Sequence, residues 1–306
     1  MEGAKLSFSG WIAQQLSWEL IKFGTFSAYK KVSSRKKIDG WSERLETKFF
    51  NEVKIVDPDA ATPKIYIDGE YQLDETVEVV RREKLKEIRR KHKHNDVHAI
   101  VVSDDFHTSD ESAEIRVKTC DFAGVLALRN FGEKPSILSV SAVIVCDQTD
   151  EIILHRRSSS VDTYPDALHT IGGSYIPPMA TKVSTDRGGV ISAIQREALE
   201  EGQISVDVDS KPSMIFSREL STGFFQVVFL GLKTSKDNLE RMCGNWEGTA
   251  IRVKLSKIDS ILSSDDWVPS GKAHLLAWLA HGSPGVSSKR KFGNFRPEEL
   301  FLKHSK

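Results

Sequence analysis

The chain has 306 residues, of which 39% are hydrophobic and 28% charged, as in soluble globular proteins long enough for two domains of ordinary size. Lysine plus arginine and aspartate plus glutamate number 43 each, so no net charge draws the chain to nucleic acid or to an anionic membrane. Three widely separated cysteines, Cys120, Cys146 and Cys243, fit neither a disulfide framework nor a zinc site, and reduced thiols favour a cytoplasmic location.

The first predicted element is an amphipathic helix, in which Ile12, Leu16, Leu20 and Phe23 recur at helical spacing. The basic run 29–37 follows it, and an apolar stripe beside such a run could rest on a membrane surface. Packing against the protein beside a solvated linker is the favoured interpretation, because basic runs are usually solvated. The opening residues also lack the basic start and apolar core of a signal peptide.

Residues 42–134 alternate between strand and helix patterns, which predicts a small N-terminal α/β module. Its helical run 74–94 is basic, but it interleaves acids and has no aromatic residues for base stacking, so nucleic-acid binding is not expected. The predicted strands are 64–69, 97–103 and 114–120, and the predicted helices are 74–94 and 121–131.

A second block begins after the break "EKPS" at residues 133–136. Its last long helix, residues 270–280, has Ser270 as the predicted N-cap, and the residues after 285 are predicted as a surface tail or a short docked helix. The predicted strands are 137–146, 151–157, 212–220, 224–232 and 249–255. The domain boundaries follow as 1–134, 135–285 and 286–306.

Within this block, "ISAIQREALEEGQISV" (residues 191–206) places Glu197, Glu200 and Glu201 on one face of a helix. Like charges at this spacing repel each other, so a positive group is expected among them. Hard divalent ions such as Mg²⁺ take carboxylate oxygens and complete their shell with water and substrate phosphates. The cluster therefore predicts a phosphate-ester or pyrophosphate site, and the alternative is a solvated face balanced by Arg187 and Arg196.

The strand pair, the segment "IGG" and the run "AIQREALEEGQI", in this order, resemble the signature of the Nudix hydrolase family over roughly residues 137–281. Glu197, Glu200 and Glu201 fall on the family's metal-binding glutamates, Arg196 on its arginine and Gly173 on its first glycine. The resemblance implies an α+β chain whose second block is an α/β/α sandwich with a mixed sheet. It also implies hydrolysis of a nucleoside diphosphate linked to another moiety, with Mg²⁺ or Mn²⁺ as cofactor.

Three departures from the signature accompany these matches. Gly188 lies fifteen positions after Gly173, where the family has six, so the intervening loop carries an insertion. Gly188 also stands where the family has its first glutamate. Gln203 stands at the closing glycine, and Gly202 is expected to supply the left-handed end of the helix instead.

The resemblance further implies roles for individual residues. Arg196 is expected to steady the loop before the helix, while Glu200 and Glu201 act as the principal metal ligands and Glu197 completes the site. A further glutamate comes from a later loop in the family, and Glu247 is preferred over Glu219 as base or extra ligand. Gly172 and Gly173 are expected beside the substrate.

The signature specifies a diphosphate and not the groups attached to it. The nucleotide-sugar (UDP-glucose-type) pyrophosphatase branch has a similar N-terminal module, a lengthened loop after the double glycine and a late helix that begins with serine. The expected substrate is therefore a nucleotide sugar. Tyr164 is expected to stack on its base and His169 to make a polar contact. ADP-ribose, NADH and nucleoside triphosphates remain alternative small-molecule partners. A Nudix-fold domain that senses a nucleotide without cleaving it is the alternative function, and the oligomeric state is not predicted.

Overall fold

The computed structural model describes residues 37–306 except 92–94, 103–106, 110–111, 162, 179–183, 187–188 and 288–291. The predicted N-terminal amphipathic helix, Arg187 and Gly188 lie outside the described residues. Ile38–Lys306 forms one compact unit. No helix in the described part of the chain has the length and apolar character needed to cross a membrane.

The strands and helices largely follow the predicted pattern. In chain order, the strands are β1 (Val53–Asp57), β2 (Pro63–Glu70), β3 (Val97–Val101), β4 (His107–Ser109), β5 (Ser112–Asp121), β6 (Leu138–Cys146), β7 (Glu151–Arg157), β8 (Leu168–His169), β9 (Ile171–Ser174), β10 (Ser184–Asp186), β11 (Met214–Glu219), β12 (Phe225–Lys233) and β13 (Gly248–Lys254). The helices are α1 (Trp41–Lys48), α2 (Glu75–Arg90), α3 (Phe122–Asn130), α4 (Gly189–Gly202), α5 (Lys236–Glu240), α6 (Ile258–Leu262), α7 (Pro269–Ala280) and α8 (Pro297–His304).

The larger sheet is mixed and has the strand order β1-β11-β12-β6-β7-β13, with β9 paired to β6 and β8 paired to β7. β12 and β6 run parallel, and the other pairs are antiparallel. Every residue of β6 is buried, because apolar layers cover both of its faces. Ile144 packs into the core on one face with Ile194 of α4, and Val143 packs on the other with Leu275 of α7. This confirms the α/β/α sandwich with a mixed sheet.

The smaller sheet has the order β10-β2-β5-β3, and β4 pairs with the other part of β5. Its strands come from the N-terminal block except β10, which belongs to the inserted loop and pairs with β2 through Thr185 and Tyr66. Conversely, β1 precedes this sheet in the chain but pairs with β11 of the larger sheet, with Val53 opposite Glu219. The two blocks therefore exchange strands, and the domain division at residue 134 stays a prediction.

The last two helices of the second block bear on two predictions: the start of α7 differs from the prediction, and α8 shows that the C-terminal segment docks. The predicted N-cap at Ser270 is wrong, because α7 begins at Pro269, with Val268 as the N-cap residue. Proline suits the first helical position, since its φ is already helical and it has no N–H to satisfy. The C-terminal segment contains a docked helix, α8, whose Leu300 and Phe301 are fully buried.

Asp121 links three elements of the N-terminal block. Its carboxylate accepts hydrogen bonds from Arg81 Nε and Nη2 of α2 at 2.8 and 2.7 Å, and from Asn95 Nδ2 at 2.9 Å. It also caps α3 by accepting from the Gly124 N–H at 2.8 Å. Burial raises the pKa of Asp121, but these hydrogen bonds outweigh burial and hold the pKa below its ordinary value.

Asp121→Ala is expected to lower the free energy of unfolding at neutral pH by about 2–4 kcal/mol, because α3 loses its cap and Arg81 loses two of its hydrogen bonds. The folded-state pKa lies below the ordinary 3.8, so this stabilisation is present above that pH and is lost as the pH falls through the folded-state pKa. Urea unfolding at about pH 7 and about pH 3 measures both effects. Glu87→Ala, which removes an exposed ion pair with Lys91, is the control expected to leave the midpoint unchanged. A deficit as large at acidic as at neutral pH would contradict the electrostatic explanation.

Candidate active site

The glutamates of α4 occupy the face that packs on the sheet. Val190, Ile194 and Ala198 form the apolar part of this face and are fully buried. At helical spacing from Val190 and Ile194, Glu197 and Glu201 fall on the same face, where they are only 7% and 4% exposed. Buried glutamates are rare unless they are paired or bound to a metal. Two buried carboxylates therefore continue the stripe of apolar side chains by which α4 packs on the sheet.

The third glutamate of α4 is more accessible to solvent. The side chain of Glu200 is 59% exposed and lies beside Arg196, whose Nε is 3.8 Å from Glu200 Oε1. The carboxylates of α4 therefore extend from the buried interior to solvent.

Each glycine of the pair in β9 serves one of the buried carboxylates. The Gly172 N–H donates to Glu201 Oε2 at 3.0 Å. A Cβ on Gly173 would lie 2.3 Å from Glu197 Oε2, so only glycine leaves this carboxylate its position. β9 itself is held by antiparallel pairing with β6. The glycine strand and the glutamate helix are thus fitted to each other.

Arg196 connects the helix to the strand before the insertion. Its Nη2 donates to the Ser174 carbonyl oxygen at 2.9 Å and to Glu197 Oε1 at 2.5 Å. One guanidinium therefore holds both the end of β9 and a carboxylate of α4. The role of Arg196 in steadying the loop before the helix stays a prediction.

Glu247 reaches the same place from the turn before β13. The turn is tied to α4, because Asn245 Nδ2 donates to the Glu200 carbonyl oxygen at 3.0 Å. Burial raises the pKa of the Glu247 carboxyl, Arg157 opposes the rise, and the charge of Glu200 adds to it. Glu247 therefore lies within electrostatic reach of the helix carboxylates.

Burial and the charges of neighbouring carboxylates raise the pKa values of Glu197, Glu201 and Glu247. For Glu197, burial is the largest cause of a raised pKa, and the charges of Glu200 and Glu247 add to it. For Glu201, burial raises the pKa well above its ordinary value, with further contributions from Glu197 and Glu247. Each negative charge at this place thus makes the next one less favourable, and a bound cation would reverse that penalty.

The carboxylate set fits a hard divalent ion, although no closed metal cage is assembled. Among the described residues, no group of three or more His, Cys, Asp or Glu side chains is arranged to hold a metal ion. Glu197 is engaged by Arg196 and Glu201 by Gly172. Mg²⁺ commonly binds through one or two carboxylates together with waters and substrate phosphates, so a complete protein cage is not required. Carboxylate oxygens are the donors that suit Mg²⁺ and Mn²⁺.

Two further residues, which were not predicted as site residues, face the carboxylates from β7. His155 is buried, with Nδ1 3.4 Å from Glu201 Oε1, and its Nε2 has no hydrogen-bond partner among the described residues. Burial is the main cause that lowers the pKa of His155 to about 4, so its imidazole is neutral. Arg157 opposes the raised pKa values of Glu201 and Glu247. The alternation of "EIILHRR" could have identified both, since they share the face of Ile153, which packs with α4.

Tyr164 and His169 engage a different group of residues. The Tyr164 hydroxyl donates to Glu219 Oε1 at 3.2 Å, and Ser270 of α7 also donates to the Glu219 carboxylate. His169 Nδ1 lies 2.5 Å from the Thr170 carbonyl oxygen, and burial lowers the His169 pKa to about 4. Glu219 therefore joins a loop to α7, whereas Glu247 lies with the α4 carboxylates. The substrate roles of Tyr164 and His169 stay predictions.

The end of α4 differs from expectation. Gly202 was expected in the left-handed conformation, but Gln203 takes it, with φ of 54°. The Gln203 N–H donates to the Leu199 carbonyl oxygen at 2.9 Å, as in an αL motif. Gly202 instead leaves room for Ile204, because a Cβ there would lie 2.7 Å from Ile204 Cδ1. The left-handed position thus coincides with the closing position of the signature, despite the glutamine.

No protein-family model matches the chain, and no curated protein matches it either. Several solved structures are similar over part of its length. A bifunctional NMN adenylyltransferase/ADP ribose pyrophosphatase from Francisella tularensis, complexed with AMP and a manganese ion, is 17% identical, with a TM-score of 0.34. The match covers 49% of this chain and 44% of that one, so it spans less than half of the bifunctional protein.

Two further solved structures are similar over a comparable part of this chain. The MutT protein from Methanosarcina mazei Go1 is 21% identical, with a TM-score of 0.31, over 49% of this chain and 94% of that one. The NUDIX domain of Shewanella oneidensis NrtR, complexed with ADP ribose, is 14% identical, with a TM-score of 0.31, over 42% of this chain and 79% of that one. At these identities and TM-scores, the similarity does not assign a function to this chain.

Proposed function

We propose that the chain is a Nudix-type pyrophosphohydrolase that uses Mg²⁺ or Mn²⁺ to hydrolyse a nucleoside diphosphate linked to another moiety. The observation that carries this proposal is the burial of Glu197 and Glu201 on the sheet-facing side of α4. They lie next to the glycine strand β9, where Gly173 leaves room for Glu197 and Gly172 donates to Glu201. A purely solvated acidic face would place these side chains outward. Burying them costs stability, which a catalytic metal site accounts for.

In this proposal, Glu197, Glu200 and Glu201 hold the divalent ion. When bound, the ion supplies charge neutralisation of the diphosphate and activation of a water. Arg196 keeps Glu197 oriented by holding it together with the Ser174 carbonyl oxygen. Arg157 is the cation placed to bind a phosphate oxygen, since its charge acts on Glu201 and Glu247.

Glu247 is the proposed general base. Hydrolysis adds water across one P–O bond: the attacked phosphate gains the hydroxyl, the other phosphate leaves with the bridging oxygen, and the released proton goes to the Glu247 carboxylate. The raised pKa of Glu247 makes it a better proton acceptor than an ordinary surface glutamate. The turn that carries Glu247 is bonded to α4, which keeps the base and the carboxylates together.

A nucleotide sugar such as UDP-glucose is the proposed substrate, cleaved to a sugar phosphate and UMP. The inserted loop between β9 and α4 supports this choice, because its strand β10 joins β2 of the N-terminal block. A lengthened loop that follows the glycine strand β9 offers contacts for a sugar or a base. The proposal includes a cytoplasmic location, supported by the free thiols Cys120, Cys146 and Cys243.

A panel of diphosphates tests the proposal. Purified protein is incubated with UDP-glucose, ADP-ribose, NADH or a nucleoside triphosphate, and phosphatase-coupled release of phosphate is measured with Mg²⁺, with Mn²⁺ and with a chelator. The expected result is metal-dependent cleavage, fastest with UDP-glucose. Preferential cleavage of another member would reject the nucleotide-sugar assignment. Tight binding without cleavage of any member would reject hydrolysis.

A further inference from the structure

An exposed tryptophan stands at the rim of the carboxylate cluster. Trp246 is 75% exposed, although tryptophan is usually largely buried. Its neighbour in the chain is Glu247, and the residue before it, Asn245, is bonded to the backbone of α4 at Glu200. A large aromatic surface is thus left open to solvent beside the polar site and has no role in the core.

The turn that carries Trp246 is rigidly built. Asn245 and Gly248 pair through both backbone hydrogen bonds, at 2.9 and 3.3 Å, so Trp246 and Glu247 are the two central residues of a hairpin turn. Asn245 Oδ1 also accepts from the Glu247 N–H at 2.8 Å and from the Gly248 N–H at 3.2 Å. Asparagine at the first position and glycine at the fourth are the residues that such a turn favours.

Gly248 fixes where the turn lies. A Cβ on this residue would be 2.2 Å from the Arg156 carbonyl oxygen of β7, so the turn packs tightly on the neighbouring strand. The Ser158 N–H adds a bond to the Glu247 carbonyl oxygen at 2.7 Å. The backbone under Trp246 is therefore held to both α4 and β7, and the indole is presented at low entropic cost.

We propose that Trp246 is a specificity-determining residue that stacks on the base of the nucleoside diphosphate substrate. The proposal rests on the proposed function, because the diphosphate must lie at the α4 carboxylates for its base to reach the rim. An aromatic face binds any base by stacking, without hydrogen bonds that distinguish one base from another. Trp246 thus selects substrates that carry a base over base-free diphosphates, and tolerates different bases.

Binding of ADP and of inorganic pyrophosphate, each with Mg²⁺, separates base recognition from diphosphate recognition. Trp246→Ala is expected to weaken ADP binding about 10-fold and to change pyrophosphate binding less than about twofold. Trp246→Phe is expected to retain most of the ADP affinity, since a phenyl ring still stacks. Phe50→Ala is the matched control, because Phe50 is an aromatic residue that is also 75% exposed, in the turn between α1 and β1. Calorimetry measures all four proteins without relying on turnover.

Fluorescence gives a second readout. The chain has six tryptophans, and ADP is expected to quench emission in the wild type but not in Trp246→Phe at equal occupancy. Equal losses of ADP and pyrophosphate affinity in Trp246→Ala, or unchanged ADP affinity, would overturn the proposal. If the wild type cleaves no diphosphate but its ADP binding depends on Trp246 as described, the stacking role holds and only the hydrolase function fails. Absence of ADP binding to the wild type would overturn both.

Discussion

Glu200→Gln is expected to lower turnover of the diphosphate substrate by about 10³-fold while leaving the fold intact. The side chain of Glu200 is 59% exposed, so exchanging its carboxylate for an amide disturbs no packing. The loss arises because the amide cannot supply the charge that holds a divalent ion against the substrate phosphates. Initial rates at saturating substrate and metal, together with the thermal unfolding midpoint, measure the two effects separately.

Glu201→Gln is expected to cause a comparable loss of turnover from a buried position. Its amide oxygen can still accept the Gly172 N–H, so the contact with β9 survives. Because the change also removes a buried charge, the metal-free variant is expected to unfold at the same temperature as the wild type or higher. Mg²⁺ is expected to raise the midpoint of the wild type and to leave that of the Glu200→Gln, Glu201→Gln double variant nearly unchanged.

Glu240→Gln is the control for these two variants. Glu240 is an exposed glutamate of α5, paired with Lys236 at 3.8 Å and outside the carboxylate cluster. It is expected to retain the wild-type rate. The metal assignment has to be abandoned if Glu200→Gln and Glu201→Gln both keep the wild-type rate with excess metal.

Gly173→Ala is expected to reduce metal-dependent turnover by about 10- to 100-fold and to leave the protein folded, as changes beside metal ligands do. The added Cβ would lie 2.3 Å from Glu197 Oε2, which is the far end of a flexible side chain. The carboxylate can move away at small cost to stability, but it then leaves the position at which it serves the site. The rate as a function of Mg²⁺ concentration measures the weakened site.

Gly172→Ala provides the opposite case one residue earlier. Its Cβ would lie 2.2 Å from the Val140 carbonyl oxygen of the paired strand β6, and backbone cannot yield as a side chain does. This variant is expected to lose about 1–3 kcal/mol of folding free energy. If Gly173→Ala proves the less stable of the two and keeps its metal dependence, Gly173 does not serve to leave Glu197 its position at the metal site.

The spacing of apolar residues predicted much of the fold, because this spacing differs between helices and strands. Most of the predicted strand 137–146 forms β6, a central strand with both faces covered, and the helix that carries Glu197 packs through Ile194 and Ala198. The shared face of the glutamates also follows from helical spacing alone. Their burial does not, since it depends on where the sheet lies.

Other features depend on contacts between distant parts of the chain. β1 and β10 each pair with a strand of the other block, and no local pattern of residues specifies a partner so far along the chain. Ser270 has the residue type of an N-cap, but its hydroxyl instead donates to Glu219, and Pro269 sets the start of the helix. At Gln203, the turn that ends α4 imposes a left-handed backbone on a residue that does not favour it.

The position of β1 bears on the solubility of the larger sheet. β1 covers the outer side of β11, whose N–H and C=O groups would otherwise be open to a strand from another molecule. The opposite edge is β13, where Arg252 and Lys254 are exposed and discourage such pairing by their charge. The N-terminal block thus shields one edge of the sheet from aggregation. A fragment cut at residue 135 would keep its carboxylate cluster but expose an unprotected, apolar strand edge.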